Sequence, residues 1–555
     1  MYPPIPDATA CIDGERLNSR QRVDELREQF CDAHADVAWL LCDRHPAQRI
    51  AFTVVGDGGS VSMTFGELAT ASHRSAQAFR AAGVRRGDRV ATLMGKSVDL
   101  VVTILATWRL GAVYVPLFTA FGSDAIAERL ERSGTVLVVA DPDQRHKLAP
   151  SAHRKVLVTG AAPVTPDGDR LLADAVATAA PEPVGRVAVG GDGALVHMFT
   201  SGTTGKPKGV VHPVAYLAGF QAYLEYSLGV TSDDSFWCAA DPGWAYGLYT
   251  AIAAPMAAGV SSILLRGGFS AESTWRTLSE HRVTNFAAAP TVFRSLRASS
   301  TGVPADLELA RASSAGEPLT AEVNEWARQA LGLLVHDHFG QTELGMVVGN
   351  HHHPELARPV KPGSMGRPLP GWSVTVLGDD DRPAPPGVLG RVAIDVAASP
   401  LLTFTRYQDQ AHGGRFSADR RYYLTGDIAR VDDDGDFFFF ARDDDVIIMA
   451  GYRIGPADVE SVLSRHPGVA ECCVVAAPDE VRGEVIEAYV VLHDNHPRSA
   501  GLVAELQRFV KENYAAHAYP RHVHFVDELP KTSSGKVQRS VLRRQRQEAA
   551  EPQTT

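Results

Sequence analysis

Hydrophobic and polar positions alternate in two different ways along the first half of the chain. Residues 90–94 and 136–140 are short apolar runs of the kind that form buried strands, whereas residues 100–110 have the apolar spacing of a buried helix. Gly83 and Gly87 separate the first of these strands from an earlier helical pattern. Strands that alternate with helices predict an α/β fold with a largely parallel sheet.

The pattern is weaker in the middle of the chain. Residues 160–193 are rich in Ala, Pro, Gly and Asp, which predicts a surface connection. A second α/β stretch follows, and residues 363–396 are then rich in predicted strands and turns. The four phenylalanines at 437–440 predict a core strand.

The pattern begins again beyond residue 444, with strands and helices that differ from those before it. We predict strands at residues 471–477 and 487–493 and helices at residues 457–465 and 502–514. The fold is therefore expected to be α/β, with a large N-terminal domain of α/β subdomains plus a β-rich subdomain and a small α+β C-terminal domain. The predicted domains are residues 1–443 and residues 444–555.

Composition and charge exclude several classes of function. A net charge of -11 argues against general nucleic-acid binding, which needs a basic face. The longest apolar stretch, residues 98–117, contains Asp99 and Arg109, so we expect a buried helix and strand rather than a membrane span. The six cysteines show no paired spacing, and no signal sequence is visible, so we expect a reduced, cytoplasmic protein.

The strongest candidate for chemistry is the run FTSGTTGKPKG at residues 199–209. Its glycines let backbone N–H groups approach an anion, and its hydroxyl and ammonium groups add donors and positive charge. This composition suits a polyphosphate, although a flexible loop is the alternative, and the spacing is not that of a Walker A loop. The candidate ATP-binding residues here are Thr200, Ser201, Gly202, Thr203, Thr204, Gly205, Lys206 and Lys208.

This run resembles the phosphate loop of the adenylate-forming superfamily, which comprises acyl-CoA synthetases, peptide-synthetase adenylation domains and luciferases. Further motifs of that superfamily follow in the same order, so the resemblance spans residues 45 to 545 and favours the medium-chain or aryl acyl-CoA synthetase branch. The matching segments are DPGW at residues 241–244, AGEPL at 315–319, DHFGQTE at 337–343, YLTGD at 423–427, RDDD at 442–445, GYRI at 451–454 and PKTSSGK at 530–536.

The resemblance implies the roles of the residues in acyl-adenylate formation. Lys536 is expected to stabilise charge when a carboxylate attacks the α-phosphate of ATP, and Glu343 is expected to hold Mg²⁺. Thr342 would donate to phosphate beside the loop hydroxyls, Asp427 would accept from the ribose hydroxyls, and Arg442 would support the ribose. The remaining predicted ATP contacts are Gly316, Glu317, Pro318, Asp337, Phe339 and Gln341.

The second step implied by the resemblance transfers the acyl group to coenzyme A. The family rotates a mobile C-terminal domain between the two steps, and the alignment places the hinge at Asp444. Gly451, Tyr452 and Arg453 are the candidate coenzyme A contacts. An alternative is that Asp443–Asp445 forms only an acidic turn.

The acyl pocket is the least readable part of the sequence. Acetate-specific relatives carry tryptophan where this chain has Gly340, so a larger acid should fit. Trp244, Tyr246 and Tyr249 are the candidate aromatic lining, although the two tyrosines could equally well be ordinary core residues. Asp241 lies where peptide-synthetase domains hold a substrate ammonium, but its surroundings resemble those of acyl-CoA synthetases, so we expect a medium-chain or aromatic carboxylic acid.

Several hypotheses stand beside this reading. The acyl group could be delivered to a carrier protein, an amine or another nucleophile, or the chain could be a catalytically silent homologue. The consecutive histidines 351–353 suggest a metal site or, as we favour, a polar loop. A homodimer and a lysine acetyltransferase acting on Lys536 are further hypotheses, since acetylation would remove the charge of that lysine. The resemblance as a whole predicts an ATP-dependent, AMP-forming acid–CoA ligase.

Overall fold

Short runs of apolar residues form the central strands of two mainly parallel sheets, as the alternating pattern predicts. The computed structural model of the protein describes residues 11–12, 15–16, 18–160, 168–200, 207–408, 415–449, 452–479, 483–493, 496–515, 517–531 and 537–550. In the first sheet all neighbouring strands are parallel except the first pair. Its strands, in spatial order, are Lys208–Pro213, Ala194–Thr200, Val113–Pro116, Arg89–Leu93, Thr135–Ala140, Lys155–Val158 and Arg170–Leu171.

The second sheet has a parallel centre and antiparallel hairpins at both edges. The hairpin at one edge contains Val335–Gln341 and Gly345–Gly349, which place the DHFGQTE motif at a sheet border. Its strands, in spatial order, are Arg367–Pro368, Gly345–Gly349, Val335–Gln341, Arg311–Ala315, Asn285–Ala288, Phe236–Cys238, Ser262–Leu265, Ile50–Gly56 and Gly59–Thr64.

Helices cover these sheets and begin where the sequence supplies capping side chains. Thr64 and Glu67 form a reciprocal capping box at the start of Phe65–Ala81, and Ser97 caps Val98–Arg109. The α-helices of the N-terminal part are Ser19–Phe30, Phe65–Ala81, Val98–Arg109, Ser123–Ser133, Leu172–Ala177, Tyr216–Ala222, Ala245–Gly247, Ala254–Ala258, Ala271–Glu280, Pro290–Ala298 and Ala321–Ala330. Single turns of other helix types occur at Trp39–Asp43, Arg145–Lys147, Tyr223–Ser227 and Leu248–Ala253.

Two further sheets follow along the chain, and a two-stranded pair, Cys11–Ile12 with Glu15–Arg16, precedes all of them. The third large sheet is an antiparallel meander of Val374–Leu377, Gly390–Asp395, Tyr422–Val431 and Phe437–Arg442. The last sheet has the spatial order Tyr452–Ile454, Ile447–Met449, Gly483–Leu492 and Val469–Asp479, with His522–Phe525 parallel to Gly483–Leu492. The helices of this last part are Pro456–Leu463, Ala500–Asn513 and Arg539–Ala550.

The residues after 446 pack around a core of their own. That core includes Ile447, Val474, Ile486 and Leu506, and it shares no buried residue with the large core that joins the earlier sheets. The division of the chain at residues 443 and 444 stays a prediction. In the part of the chain that is described, no helix is long and apolar enough to cross a membrane.

Two local predictions differ from the structure. Residues 168–193 are more than a surface connection, because Leu172 and Ala175 are buried on a short helix that packs beside the first sheet. The phenylalanine run does form a strand, Phe437–Arg442, but only Phe437 of the four is fully buried. Small residues and weak periodicity conceal the first element. Phe437–Arg442 is less buried than expected because it is an edge strand of the meander, paired with Tyr422–Val431.

Candidate active site

Three polar side chains meet where the edge of the second sheet faces the antiparallel meander. Gln341 Nε2 donates to Asp427 Oδ2 at 2.7 Å and to the carbonyl oxygen of Thr425 at 2.9 Å. Arg442, which pairs with Asp427 across neighbouring strands, donates to Asp427 Oδ1 at 3.0 Å. Each oxygen of the Asp427 carboxylate therefore has a donor, and the remaining lone pairs can accept from a vicinal diol.

The surroundings of Asp427 fix its orientation and perturb its charge. Burial raises the pKa of Asp427, while the nearby Arg442 guanidinium opposes that increase. Tyr423 donates its hydroxyl to Gln341 Oε1 at 3.2 Å, so the amide of Gln341 has only one orientation that satisfies both of its ends. The group is positioned before any ligand arrives.

A second carboxylate lies two residues further along the same segment. Tyr407 donates its hydroxyl to Glu343 Oε1 at 2.6 Å, and the Lys208 ammonium lies 5.1 Å from the centre of the Tyr407 ring. The described residues give Glu343 Oε2 no hydrogen bond. A single free carboxylate oxygen fits Mg²⁺, which usually takes one or two protein carboxylates and completes its shell with water and phosphate.

Two hydrogen bonds fix the backbone of Thr342, the residue between Gln341 and Glu343. The carbonyl oxygen of Thr342 accepts from His212 Nε2 at 2.7 Å and from the Tyr216 hydroxyl at 2.8 Å. Burial lowers the pKa of His212 to about 3, so the ring is neutral and its Nδ1 accepts from Tyr249, 2.9 Å away. Tyr249 is fully buried in this contact, which makes it part of the core rather than of an open pocket.

The AGEPL segment forms the turn after strand Arg311–Ala315. Gly316 has φ of +98°, a conformation that favours glycine. The Glu317 carboxylate accepts from Thr291 and Arg294 at 2.7 Å each, so a ligand in this region would meet the backbone of Glu317 and of the adjoining Pro318 rather than the charge. The turn is compatible with the predicted ATP contacts at Gly316, Glu317 and Pro318, and these contacts stay predictions.

Asp337 and Phe339 come from the neighbouring strand, Val335–Gln341. Asp337 is buried, and its Oδ1 accepts from the His338 N–H at 3.1 Å. Burial raises the pKa of Asp337 to about 8, so its carboxyl holds a proton over most of the neutral range. Phe339 is half-buried and keeps part of its ring exposed.

Aromatic side chains cluster around the DPGW turn. The Trp244 ring lies 5.6 Å from the ring centres of both Phe118 and Phe121. Asp241 Oδ1 accepts from the Gly243 N–H at 2.8 Å, and burial raises the pKa of Asp241. Burial thus disfavours the charged form of Asp241, which makes it a weak partner for a substrate ammonium.

The backbone around Gly340 leaves no space for a Cβ atom. A Cβ atom built on Gly340 would overlap the carbonyl oxygen of Gly345 and the backbone of Met346 on the partner strand of the hairpin. Glycine is therefore required for the close approach of the two strands. A tryptophan at position 340 would have to displace this hairpin as well as narrow a pocket.

Asp444, the predicted hinge residue, and its neighbour Asp445 contact the last helix. Arg543 donates to the carbonyl oxygen of Asp444 at 2.9 Å, and its guanidinium lies 2.8 Å from the Asp445 carboxylate. Arg539 lies 3.8 Å from Asp445, and Arg442 lies 3.7 Å from the Asp444 carboxylate. Asp444 thus stands between a residue that contacts Asp427 and a helix of the C-terminal part.

Several predicted site residues lie outside the described residues. These are Ser201, Gly202, Thr203, Thr204, Gly205, Lys206, Gly451 and Lys536. The ends of the phosphate loop are described, since Thr200 and Lys208 face each other in adjacent antiparallel strands. Tyr452 and Arg453 lie on a strand that pairs with Ile447–Met449.

Two protein-family models match this chain. A family model described as AMP-binding enzyme matches residues 40–398, and one described as AMP-binding enzyme C-terminal domain matches residues 458–536. The chain belongs to the AMP-binding enzyme family. It is 35% identical to the acetyl-coenzyme A synthetase of Bacillus subtilis, over 86% of this chain and 84% of that protein.

Solved structures of AMP-binding enzymes share the whole fold. An acyl-CoA synthetase from Brucella canis matches with a TM-score of 0.74 and 41% identity, covering 97% of this chain and 98% of that one. A benzoate CoA ligase from Burkholderia xenovorans matches with a TM-score of 0.79 and 29% identity, covering 92% and 99%. The predicted α/β fold, the acyl-CoA synthetase branch, the AMP-forming acid–CoA ligase activity and the use of ATP, Mg²⁺ and coenzyme A are confirmed.

Some residues of the candidate active site of this AMP-binding enzyme lie outside every recognised sequence motif. Tyr407, which contacts Glu343, lies in an unremarkable polar stretch of the sequence. Arg415 donates to the carbonyl oxygen of Thr425 at 2.8 Å and lies against Gly426, next to Asp427. Sequence order alone cannot place these side chains, because the fold brings them from a connection between strands.

The histidine run behaves as a packed polar segment. His351 hydrogen bonds with Ser227 at 3.0 Å, while His352 stacks on His336 with ring centres 3.6 Å apart.

A group of acidic side chains close enough to share a cation does occur in the described part of the chain, at Asp432, Asp434 and Asp436. The Lys361 ammonium reaches all three within 3.0 Å and neutralises part of their charge.

Proposed function

We propose that this enzyme activates a medium-chain or aromatic carboxylic acid at the site built on Gln341, Asp427, Arg442 and Glu343. The observation that carries the proposal is the Asp427 carboxylate, which has a donor on each oxygen and lies beside the Tyr407–Glu343 pair. A preorganised acceptor for a ribose next to a carboxylate for a phosphate-bound cation is the arrangement that ATP requires.

The first step forms an acyl-adenylate. A carboxylate oxygen of the acid attacks the α-phosphorus of ATP, the bond from that phosphorus to the bridging oxygen breaks, and pyrophosphate leaves. Both reacting groups are anionic, so catalysis depends on positive charge and donors at the phosphates. We assign these roles to Lys536, to the Thr342 hydroxyl and to the loop that joins Thr200 to Lys208.

Glu343 is the proposed protein ligand of Mg²⁺. The ion would neutralise phosphate charge when bound. Tyr407 holds one carboxylate oxygen and leaves the other, which has no hydrogen bond to described residues, for the ion. The two hydrogen bonds on the Thr342 carbonyl keep this segment from rotating.

The second step transfers the acyl group to coenzyme A. The thiolate sulfur attacks the carbonyl carbon of the adenylate, and AMP leaves with the electron pair of the broken carbon–oxygen bond. We propose that residues 444–555 rotate about Asp444 between the steps, so that Lys536 withdraws and Gly451, Tyr452 and Arg453 approach. Separate cores on the two sides of residue 446 support such a movement.

The proposed acid class follows from the aromatic turn at Trp244. Trp244, Phe118 and Phe121 supply an apolar surface, and burial disfavours the charged form of Asp241 that would attract the ammonium of an amino acid. The similar proteins range in name from an acetyl-coenzyme A synthetase to a benzoate CoA ligase. An aromatic or medium-chain acid uses this apolar lining better than acetate does.

Three accompanying hypotheses remain predictions. A cytoplasmic location agrees with substrates such as ATP and coenzyme A. A homodimer and acetylation of Lys536 are testable by sedimentation and by mass spectrometry of the purified protein.

The test is a panel of carboxylic acids incubated with ATP and Mg²⁺, each with and without coenzyme A. Mass spectrometry follows AMP and the acyl-thioester. We expect thioester with aromatic or medium-chain acids at a higher kcat/KM than with acetate. Preference for acetate would contradict the acid class, and adenylate without thioester would favour another acceptor.

A further inference from the structure

A chain of hydrogen bonds runs from the edge of the aromatic turn into the second sheet. The Tyr246 hydroxyl lies 3.0 Å from the Tyr223 hydroxyl, which lies 2.8 Å from His338 Nδ1. His338 Nε2 lies 3.0 Å from the carbonyl oxygen of Asn350. The chain thus connects a residue of the proposed acyl pocket to the strand that carries Gln341.

The carbonyl at the inner end fixes the direction of every bond in this chain. A carbonyl oxygen only accepts, so His338 Nε2 carries the hydrogen. Burial lowers the pKa of His338 to about 3, so the ring is neutral and its Nδ1 has no hydrogen. Tyr223 must donate to that nitrogen, and because a phenol has a single hydrogen, Tyr246 must donate to Tyr223.

This direction determines how the Tyr246 hydroxyl, at the outer end of the hydrogen-bond chain, can bind a ligand. Tyr246 has already used its one hydrogen, so its oxygen can only accept further bonds. Tyr223 and His338 are buried, whereas Tyr246 keeps part of its surface exposed. The described residues offer the Tyr246 oxygen no second donor.

We propose that Tyr246 makes the acyl pocket selective for acids that carry a neutral hydrogen-bond donor, such as a hydroxyl or an amino substituent, away from the reacting carboxylate. An acid with a methyl group in that place would leave the oxygen unsatisfied on losing water, whereas a hydroxyl or amino group would pair with it. Burial disfavours the charged form of Asp241 that would attract an ammonium instead. This inference rests on the proposed function, specifically on Tyr246 lining the pocket.

The test compares isosteric acids, with hydroxyl, amino or methyl at each ring position of benzoate and at the end of a medium-length aliphatic acid. The measured quantity is kcat/KM for adenylate formation. In the wild-type enzyme we expect at least one position where the donor-bearing acid exceeds its methyl isostere by about tenfold to a hundredfold. In Tyr246→Phe this ratio should fall to about one, whatever the absolute kcat/KM of that variant.

A second variant separates hydrogen-bond polarity from packing. Tyr223→Phe keeps the buried ring but removes the acceptor for the Tyr246 hydrogen, which then becomes free to donate into the pocket. The preference should shift toward acids with acceptor-only substituents, such as fluoro or methoxy groups. Loss of packing alone would lower kcat/KM for all acids together and would not change their order.

The outcomes distinguish this inference from the proposed function. If no acid is adenylated by the wild-type enzyme, the proposed function fails. If acids are adenylated but the ratio of donor-bearing acid to methyl isostere stays near one at every position, or is unchanged in both variants, Tyr246 does not determine specificity and the inference is overturned. Thermal unfolding of each variant verifies that the comparison is made on folded protein.

Discussion

Arg442 and Asp427 are paired across two neighbouring strands, with the guanidinium 3.0 Å from one carboxylate oxygen while Gln341 occupies the other. The pair lies at the end of the antiparallel meander, and Arg442 also lies 3.7 Å from the Asp444 carboxylate. Arg442 therefore links Asp427, the proposed acceptor for the ribose, to Asp444, the proposed hinge residue.

Gln341→Glu should damage nucleotide binding more than removal of the side chain does. The substitution replaces a donor to Asp427 by a second carboxylate at 2.7 Å, so two negative charges would compete for one place. We expect the KM for ATP to rise about tenfold to a hundredfold. Gln341→Ala is the matched control, because it removes the donor without adding charge. Equal KM values for the two variants would show that Asp427 does not depend on this charge balance.

Tyr407→Phe should alter the response of the enzyme to Mg²⁺. The substitution removes the donor to Glu343 Oε1 and frees the carboxylate to rotate. Loss of such an outer contact lowers metal affinity by about 10-fold to 100-fold, so the half-saturating Mg²⁺ concentration should rise. Direct binding of Mn²⁺ in the presence of ATP, followed by electron paramagnetic resonance, provides a second readout.

Tyr422→Phe serves as the control for Tyr407. Tyr422 lies in the neighbouring meander, and its ring contacts Arg421 rather than a carboxylate. Its Mg²⁺ response should match that of the wild-type enzyme. An unchanged half-saturating concentration in Tyr407→Phe would refute the role given to that hydroxyl.

Lys536→Ala and Asp444→Pro should separate the two half-reactions. Lys536→Ala should abolish formation of acyl-adenylate but leave conversion of supplied adenylate to thioester largely intact. Asp444→Pro should do the opposite, because proline restricts the backbone at the hinge and at the preceding residue. The Asp444 N–H makes no hydrogen bond to described residues, so the proline removes none of them. Rapid-quench measurement of each half-reaction gives the result, and equal loss of both in each variant would refute the rotation.

Asp337→Asn should change how stability depends on pH. The carboxyl of Asp337 has a pKa of about 8 in the folded protein and 3.8 as its ordinary value, so between these values the folded state keeps a proton that the unfolded state has lost. Stability therefore falls as pH rises through this window, by at most about 1.4 kcal/mol per pH unit from this group. Asp337→Asn has no titrating carboxyl at this position, so this contribution to the pH dependence of stability is absent.

The measurement for Asp337 is thermal unfolding from pH 5 to pH 9. The Tm of Asp337→Asn relative to the wild-type enzyme should increase with pH up to about 8 and level off above it. Asp57→Asn, at an exposed hairpin turn, is the control and should follow the wild-type profile. Parallel profiles for Asp337→Asn and the wild-type enzyme would show that burial does not hold a proton on this carboxyl.

Much of the architecture could be predicted from the sequence because its signals are local. Apolar strands such as Arg89–Leu93 and helices such as Val98–Arg109 appear within two residues of their expected ends. The order of the motifs also indicates which residues belong near one another, including Gln341, Asp427 and Arg442. Hydrogen-bond partners could not be predicted in this way, since Tyr407 and Tyr223 reach the site from distant parts of the chain.

The contact between the strands at Gly340 and Gly345 limits how the substrate range of this scaffold can evolve. A single substitution at Gly340 would strain the hairpin that also presents Gln341, so a smaller pocket would come at the expense of the nucleotide site. A lineage that moves toward shorter acids must change both strands together or first alter the turn at Trp244 and Tyr246. Substitutions in that turn leave the hairpin intact, and they are the more accessible route to a new substrate.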